Sequence, residues 1–248
     1  MAFSIMNKTA LVTGAGRRIG KATAIRLGAE GANVILHYNS SEKEAAEIAN
    51  IIREKGRKAW TIQADLADSD VAGDFFSCAV ECAGSVDILI NNASIFPKTT
   101  LDTLTPENFF HNITVNALSP FLLARSFSQQ DREGVVINML DTKIVDYEQE
   151  HAAYQVSKRI LFTLTRMTAM EYAPKIRVNG VAPGLILPPE GEDESYLQRR
   201  ASSNLLNKWG HPDDIADAIL FLIRSDFVTG QVLFVDGGKF MKGMTYGL

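Results

Sequence analysis

The feature that most restricts the fold is a strand, a glycine-rich turn, a helix and a second strand in direct succession over residues 8–38. Residues 8–13 form a short apolar run that is typical of a buried strand. A turn with three glycines occupies residues 14–20, and a helical pattern then runs to Gly31, a common residue just after a helix end. Residues 33–38 complete the unit. Since glycines let the backbone approach a pyrophosphate and the amides at a helix start can bind it, this order predicts a dinucleotide site.

The rest of the chain continues the alternation of strands and helices. Five further apolar runs predict strands at residues 58–64, 86–90, 135–139, 176–181 and 232–235. Helical patterns cover residues 42–56, residues 68–83, a long stretch from 105 that ends before 134, a stretch that ends at about residue 172, and residues 213–225. Seven strands and six helices without a linker-like stretch predict one α/β domain over residues 1–248. Its expected fold class is a doubly wound, Rossmann-type domain, with a seven-stranded parallel sheet and helices on both faces.

Two stretches do not fit this alternation. Residues 185–204 lack a strong periodicity and contain two prolines and a run of acidic residues. They lie beside the predicted ligand edge, so one interpretation is a mobile substrate lid, and the other is a solvated, charged helix start. Residues 236–248 predict neither a helix nor a strand.

Composition argues against several classes of function. The chain has 25 Lys plus Arg against 29 Asp plus Glu, a net charge of −4, which predicts no nucleic-acid or membrane surface. No apolar run reaches the roughly 18 residues of a membrane span, and residues 1–8 lack a signal-peptide pattern, so we expect a cytoplasmic protein. Cys78 and Cys82, which fall in one predicted helix, are interpreted as packing thiols. The four histidines share no metal-ligand spacing, and we expect no metal site.

A tyrosine and a lysine four residues apart form the candidate acid–base pair. Tyr154 and Lys158 share one face of a predicted helix. An ammonium beside a phenol favours the phenolate, so we expect the pKa of Tyr154 to fall from roughly 10 towards neutrality. Tyr154 would then donate or accept a proton at working pH. Taken alone the pair is weak evidence, because any amphipathic helix can carry it on a solvated face.

The end of the second strand predicts which cofactor binds. An acidic residue there would bind the ribose 2′-OH of NAD. The chain instead has His37, Tyr38, Asn39 and Ser40, and Arg17 in the glycine turn can pair with a 2′-phosphate. We therefore expect NADPH as the cofactor, with a solvated, unengaged Arg17 as the alternative.

Polar residues follow several later strands, where ligands of open parallel sheets lie. Asp65 follows the third strand and either accepts a bond from the adenine amine or caps the next helix. Residues 91–93 follow the fourth strand, with Phe96 close behind, and Asp141 follows the fifth. Asn116 lies inside an apolar part of the long helix, where a polar side chain usually has a bonding partner.

Taken together, these motifs resemble those of the short-chain dehydrogenases/reductases, and the resemblance covers essentially the whole chain. It rests on the glycine turn, Asn91-Asn92-Ala93, Asn116, the Tyr154/Lys158 pair and Pro183-Gly184. The resemblance implies that Lys158 also binds the nicotinamide ribose, that Asn116 supports a proton relay through water, and that the protein is a homotetramer. The predicted cofactor site comprises Gly14, Arg17, Arg18, Ile19, Gly20, His37, Tyr38, Asn39, Ser40, Asp65, Leu66, Asn92, Ala93, Tyr154, Lys158, Pro183 and Gly184.

Two departures from the common family pattern indicate a subgroup. Arg18 replaces the middle glycine of the turn, and Asp141 stands thirteen residues before Tyr154, where the family has a serine. Both changes resemble the pteridine reductases, as does an aromatic residue, Phe96, soon after an Asn-Ala-Ser sequence. Residues 185–187 and the acids after them are similar to bacterial dihydromonapterin reductases, which also act on dihydrofolate.

This resemblance implies NADPH-dependent reduction of a pterin, in which a dihydropterin or dihydrofolate becomes the tetrahydro form. Phe96 would stack on the flat pterin, and Asp141 would act on N5 or N8 directly or through water, unless it only caps the following turn. The implied catalytic residues are Asp141, Tyr154, Lys158 and Asn116. The implied substrate site comprises Arg18, Ser94, Phe96, Asp141 and Tyr154.

Two other functions stay open at this point. One is reduction of a 3-oxoacyl or other carbonyl compound, against which Asp141 and Phe96 argue. The other is a non-catalytic NADP-binding scaffold. The complete set of Tyr154, Lys158 and Asn116 argues against it, because a binding module has no use for a proton relay.

Overall fold

A seven-stranded sheet forms the centre of the protein, of which the computed structural model describes residues 3–242. Its strands are β1 (Thr9–Val12), β2 (Asn33–Tyr38), β3 (Ala59–Gln63), β4 (Ile88–Asn91), β5 (Gly134–Met139), β6 (Ile176–Pro183) and β7 (Val232–Val235). Every neighbouring pair is parallel, and the strand order is β3-β2-β1-β4-β5-β6-β7. The predicted α/β fold class is confirmed.

The strand order reverses between β1 and β4, and this reversal places the candidate site. Ligands of open α/β sheets bind in the crevice at such a switch point, outside the carboxyl ends of the strands. The chain leaving β1 is the glycine turn, and the chain leaving β4 is the corner at residues 91–93. The Thr13 amide donates to the carbonyl oxygen of Ile90 at 3.0 Å, so the two segments start side by side.

Helices cover both faces of the sheet. They are α1 (Arg18–Ala29), α2 (Glu42–Glu54), α3 (Val71–Ala83), α4 (Pro106–Ile113), α5 (Ser119–Ser128), α6 (Ala152–Glu171), α7 (Glu194–Arg200), α8 (Pro212–Arg224) and α9 (Lys239–Lys242), with a π-helical segment at Thr114–Leu118 and 3₁₀ turns at Thr142–Ile144 and Ala201–Ser203. Along β1, Ala10 and Val12 pack in the cluster with α1, α2 and α8, whereas Leu11 packs in the cluster with α3, α5 and α6. Both faces of a strand are therefore buried, which explains its unbroken apolar run.

The long helix expected from residue 105 to 133 is interrupted. Thr105 caps α4 by accepting the amide of Asn108, and Pro106 takes the first helical position, as predicted. The helix then widens into the π-helical segment Thr114–Leu118, and α5 ends at Ser128. The apolar residues keep a helical spacing on each side of the widened turn, so the sequence predicts one continuous helix here.

Two further expectations need correction, and one stretch for which two interpretations were open can be described. The tail contains the short helix α9, and Lys242 donates to the Ser202 carbonyl; residues 243–248 lie outside the described part. The stretch 185–204 contains α7, capped by Asp193, so the helix-start interpretation of its acids is correct, while its motion as a lid stays a prediction. Cys78 and Cys82 are both exposed on α3, so they are not packing thiols.

Across residues 3–242, none of the helices is long and apolar enough to cross a membrane.

Candidate active site

The glycine turn lets two backbone segments approach closely. Gly14 has a left-handed conformation (φ 61°), and a Cβ there would lie 3.0 Å from the Cα of Ala93. A Cβ at Gly20 would lie 2.2 Å from the carbonyl oxygen of Gly14. The following helix, α1, starts after Arg17, whose side chain makes no cap bond, and its first turn has no acidic residue. An N-terminus without a side-chain cap or a carboxylate fits the pyrophosphate of a dinucleotide.

The corner after β4 is bonded to this turn. The Thr13 hydroxyl accepts the amides of Asn92 and Ala93, each at 2.9 Å. The Asn92 side chain donates to the carbonyl oxygens of Thr13 (2.8 Å) and Gly14 (3.1 Å). The turn and the corner therefore form one unit at the switch point, and cofactor contacts by Asn92 and Ala93 stay a prediction.

The end of β2 presents polar groups beside an arginine. Asn39 and Ser40 are exposed, and Tyr38 is partly buried. Arg17 pairs with Glu44 at the start of α2, with 2.7 Å between Nη2 and Oε1, and both side chains are about half exposed. Arg17 is therefore held near this strand end. The amide, hydroxyl and guanidinium donors fit a 2′-phosphate, and the sequence contributes no carboxylate at the strand end itself.

Three of the predicted cofactor residues have other tasks. His37 is 2% exposed and both of its ring nitrogens bond to backbone groups, so its ring is engaged within the protein, and a direct contact with the cofactor stays a prediction. The side chain of Leu66 lies in the core, so only main-chain atoms of this residue can face a cofactor. Asp65 accepts the amide of Ala67 at 3.0 Å and so caps a tight turn rather than α3.

The last strand ends bring two more predicted residues to the same edge of the sheet. Pro183 ends β6, and the Gly184 amide donates to the Val235 carbonyl at 3.0 Å. A Cβ at Gly184 would lie 2.6 Å from the Cα of Asp236, so the backbone passes too closely for a side chain. Ile19, in the first turn of α1, is partly buried and packs against the core.

Tyr154 and Asp141 meet directly. The Tyr154 hydroxyl donates to Oδ2 of Asp141 at 2.8 Å, while Oδ1 accepts the Lys143 amide at 2.9 Å. Asp141 therefore caps the 3₁₀ turn Thr142–Ile144, as the second alternative expects, and also holds the phenol; its action on a substrate nitrogen stays a prediction. Tyr154 is buried, at 6% exposure.

The ionisation of this pair differs from the sequence expectation. Burial, reinforced by the Asp141 carboxylate, holds the pKa of Tyr154 well above its usual value, so the predicted fall was wrong. The ammonium of Lys158 lies 5.6 Å from the Tyr154 ring centre and donates to the Met139 carbonyl at 2.7 Å. Burial lowers the pKa of Lys158 from 10.5 to about 8, against the opposing effect of Asp141. The phenol thus keeps its proton at neutral pH, which suits a proton donor.

Asn116 connects the corner after β4 with the catalytic helix. It lies fully buried in the π-helical segment. Its Oδ1 accepts the Ile95 amide (2.9 Å) and the Ser94 hydroxyl (3.1 Å), and its Nδ2 donates to the Ile95 carbonyl and to the Ser157 hydroxyl, both at 3.0 Å. The side chain thus positions residues 94–95 against α6, and a part in a water relay stays a prediction. The Ser94 hydroxyl is already bonded in this network.

Phe96 belongs to a cluster that sequence reasoning missed. Its ring stacks on His151, with centroids 3.7 Å apart and 13° between planes, and meets Tyr154 edge-on at 4.5 Å. Glu148 accepts from both Lys143 and His151 at 2.5 Å, and the Lys143 ammonium lies 4.4 Å from the Phe96 ring centre. Phe96 stays 41% exposed. His151 is the N-cap residue of α6, three positions before Tyr154, and no periodicity in the sequence connects it with Phe96.

Arg18 links the glycine turn to the stretch 185–204. It has a left-handed backbone (φ 55°), which is uncommon for a residue with a side chain and agrees with its replacing a glycine. Its guanidinium donates to the Pro188 carbonyl at 2.8 Å. Arg18 therefore lies between the nucleotide edge and the candidate substrate edge, and direct contact with either ligand stays a prediction.

Comparison with known proteins identifies the family. A family model described as "Enoyl-(Acyl carrier protein) reductase" matches residues 14–239. The chain therefore belongs to the short-chain dehydrogenase/reductase family, as its motifs and fold indicate.

Individual relatives match nearly the whole chain. The chain is 35% identical to versicolorin reductase stcU of Emericella nidulans, over 96% of this chain and 97% of the relative. It is also 35% identical to 3beta-hydroxysteroid dehydrogenase 1 of Eggerthella lenta, over 98% of both. Among solved structures, FolM alternative dihydrofolate reductase 1 from Brucella canis complexed with NADP superimposes with a TM-score of 0.90, at 32% identity and over 98% of both chains.

The cofactor of this reductase is NADP(H). Its structural neighbours include several complexes with NADP or NADPH. The residues of this chain fit the group, since a left-handed glycine turn, a helix N-terminus without a carboxylate and Arg17 beside the hydroxyl-bearing end of β2 meet at one edge.

Proposed function

We propose that the substrate of this short-chain reductase is a dihydropterin, including dihydrofolate, and that the product is the tetrahydro form. The observation that carries the proposal is the 2.8 Å hydrogen bond from Tyr154 to Asp141. A carboxylate in this position accepts the hydrogen bond of the phenol and so competes with a substrate carbonyl for that donor. The proposal also draws on the likeness to a FolM alternative dihydrofolate reductase.

The reaction adds one hydride to a ring carbon and one proton to the adjacent nitrogen of a C=N bond. Bound NADPH supplies the hydride. Tyr154, protonated at neutral pH, holds its proton in the hydrogen bond to Asp141, and this pair delivers the proton to the ring nitrogen, directly or through water. The Lys158 ammonium lies behind the phenol and stabilises negative charge that develops on the pair as the proton leaves. Positioned proton transfer of this kind contributes about 10²- to 10⁴-fold to the rate.

Binding of a flat bicyclic ring is assigned to Phe96. One ring face is fixed by the stack on His151, and the 41% exposure leaves aromatic surface for a ligand. Offset stacking with a pterin would contribute about 1 kcal/mol beyond the area buried. Arg18, at the boundary between the glycine turn and Pro188, is placed to donate to a ring oxygen or nitrogen.

Reduction of a carbonyl compound is the second candidate. It is favoured by the 35% identity to a 3beta-hydroxysteroid dehydrogenase over 98% of both chains. The Asp141 carboxylate argues against it, because an ionised carboxylate accepts hydrogen bonds and cannot donate one to a ketone oxygen.

One assay distinguishes the two functions. NADPH oxidation is followed with dihydromonapterin, dihydrobiopterin, dihydrofolate and an acetoacetyl thioester, using the wild type, Asp141→Ser and the control Asp74→Ser on the exposed surface of α3. We expect turnover of dihydropterins by the wild type and the control, and a loss of about 100-fold or more in Asp141→Ser. Turnover of the thioester alone would overturn the pterin assignment, and equal pterin rates in all three proteins would remove Asp141 from the mechanism.

Assembly as a homotetramer is part of the same proposal. It is supported by the family resemblance and by large apolar side chains exposed on α6, among them Met167 (59%) and Met170 (83%). Light scattering coupled to size-exclusion chromatography should give four times the chain mass, and a monomer mass would contradict it.

A further inference from the structure

His37 makes contacts that no role in substrate chemistry explains. It is the fifth residue of β2, it is 2% exposed, and its ring packs against Phe75 of α3 at 4.9 Å between centroids. Nδ1 accepts the amide of Gly14 at 3.0 Å, and Nε2 faces the carbonyl oxygen of Ala64 at 3.1 Å. The main-chain oxygen of His37 accepts the next amide of the turn, that of Ala15, at 2.9 Å.

These partners define the form of the ring. An amide can only donate, so Nδ1 must carry the lone pair; a carbonyl oxygen can only accept, so Nε2 must carry the hydrogen. A single neutral tautomer satisfies both bonds, whereas an imidazolium would point an N–H at the N–H of Gly14. Burial lowers the pKa of His37 from 6.5 to about 4, despite the opposing effects of the Ala64 carbonyl and the nearby Asp65 charge, so the ring is neutral at physiological pH.

The two bonds join opposite sides of the nucleotide edge. Gly14 is the first residue of the glycine turn and has the left-handed conformation that sets the path of this turn. Ala64 precedes Asp65 and Leu66, which border the predicted adenine side. A side chain that bonds both fixes the direction of the Gly14 peptide and the spacing between the two loops.

We propose that His37 is a positioning residue for NADPH, which orients the glycine turn through Nδ1 and joins it to the loop after β3 through Nε2. The Nδ1 bond contributes more to NADPH binding than the Nε2 bond does. Its loss leaves the buried Gly14 amide without an acceptor and frees that peptide to rotate. In this role His37 acts through Gly14 and not through contact with the cofactor or the substrate.

Two substitutions separate the two bonds. In His37→Asn the side-chain oxygen falls near the position of Nδ1 and can still accept from Gly14, while the bond to Ala64 is lost. In His37→Gln the amide group falls near Nε2 and can still donate to Ala64, while the bond from Gly14 is lost. His37→Phe keeps the ring volume and removes both bonds.

The dissociation constant of NADPH, measured by fluorescence titration, and the melting temperature of each variant test the proposal. We expect His37→Asn to bind NADPH within about threefold of the wild type, and His37→Gln and His37→Phe to bind about tenfold more weakly or worse. Asn should thus rescue binding while Gln does not, even at equal melting temperatures. Wild-type affinity in the Gln and Phe variants, or an Asn variant as weak as Phe, would overturn the proposal.

A measurement on the unaltered protein covers the case in which the variants do not fold. The nitrogen chemical shifts of the His37 imidazole report which nitrogen carries the hydrogen. We expect a ring protonated on Nε2 and unprotonated on Nδ1 at pH 7. A ring protonated on Nδ1 would exclude the bond from Gly14, and the proposal with it.

Discussion

The hydroxyl of Tyr154 donates to Oδ2 of Asp141 at 2.8 Å, and the other carboxylate oxygen is held by a backbone amide. Because the carboxylate cannot turn away without losing that amide, phenol and carboxylate are fixed as a unit. The charge of Asp141 therefore affects the pKa of Tyr154, and titration of Tyr154 can report this effect.

Replacing Asp141 by Asn should lower the pKa of the Tyr154 phenol. Burial is the main cause that holds this pKa above its usual value, and the charge and hydrogen bond of the Asp141 carboxylate add to it; Asn removes the charge while keeping the shape. Ultraviolet difference titration isolates the group if each spectrum is taken against the matching Tyr154→Phe protein. An unchanged titration of Tyr154 in Asp141→Asn would show that burial alone sets its pKa.

Replacing Lys158 by Met should stabilise the fold at pH 7 while removing activity. The folded pKa of Lys158 is about 8 and the unfolded value is 10.5, so the unfolded chain binds more protons between these values. Stability contributed by this group is therefore lowest below pH 8 and rises towards pH 10.5. The pKa shift corresponds to a destabilisation of the folded state by about 3 kcal/mol at pH 7, which the Met substitution removes. The substitution also leaves the Met139 carbonyl without its hydrogen bond, which costs about 1 kcal/mol.

Urea denaturation at pH 7 and pH 9.5 measures this difference, with the exposed Lys21→Met as the control. Lys158→Met should be more stable than the wild type by about 2 kcal/mol at pH 7, and the advantage should shrink at pH 9.5. A variant less stable than the wild type at pH 7 would show that the hydrogen bond and nearby charges of the Lys158 ammonium outweigh the cost of its burial.

Replacing Arg18 by Gly should loosen residues 185–191 without unfolding the turn. Glycine adopts the left-handed backbone of this position at no steric cost, which offsets the lost bond to Pro188. Hydrogen exchange followed by mass spectrometry should show faster exchange in this stretch, and melting temperature should change little. Arg18→Lys keeps the positive charge but not the guanidinium group, and it serves as the control that tests whether the charge alone is sufficient. Unchanged exchange in Arg18→Gly would show that Arg18 does not hold residues 185–191 in place.

Replacing Phe96 by Leu should raise the KM for a dihydropterin by about fivefold and leave kcat nearly unchanged. The stacking contribution of about 1 kcal/mol is lost, while the contacts of Tyr154 and Asp141 with each other remain. Steady-state kinetics at saturating NADPH measures both constants, with Phe221→Leu on exposed α8 as the control. An equal fall in kcat with constant KM would place Phe96 in the chemical step instead.

The sequence predicts the fold and the location of the site because both depend on local patterns. Apolar runs buried on both faces define the strands, and glycines that cannot carry a Cβ define the turn at Gly14 and Gly20. Parallel strands then bring Asn92, Asp141 and Gly184 to one edge without further information.

What could not be predicted depends on contacts between distant segments. The pKa of Tyr154 depends on its burial and on the nearby charge of Asp141. The four-residue spacing in the sequence indicates only that the Lys158 ammonium lies close to the Tyr154 ring. The strand position of His37 looks the same whether the ring faces a cofactor or the inside of the turn. The stack of Phe96 on His151 joins residues 55 positions apart, which no periodicity connects.

The widened turn at Thr114–Leu118 changes the angular phase of everything after it. Each residue of an α-helix advances about 100°, so one additional residue in a turn rotates the following helix by that amount about the shared axis. After this rotation, α4 packs against α6, while α5 packs mainly against α3. Deleting one residue here would restore a regular spiral, swing the apolar side of α5 into solvent, and withdraw Asn116 from the loop that carries Phe96.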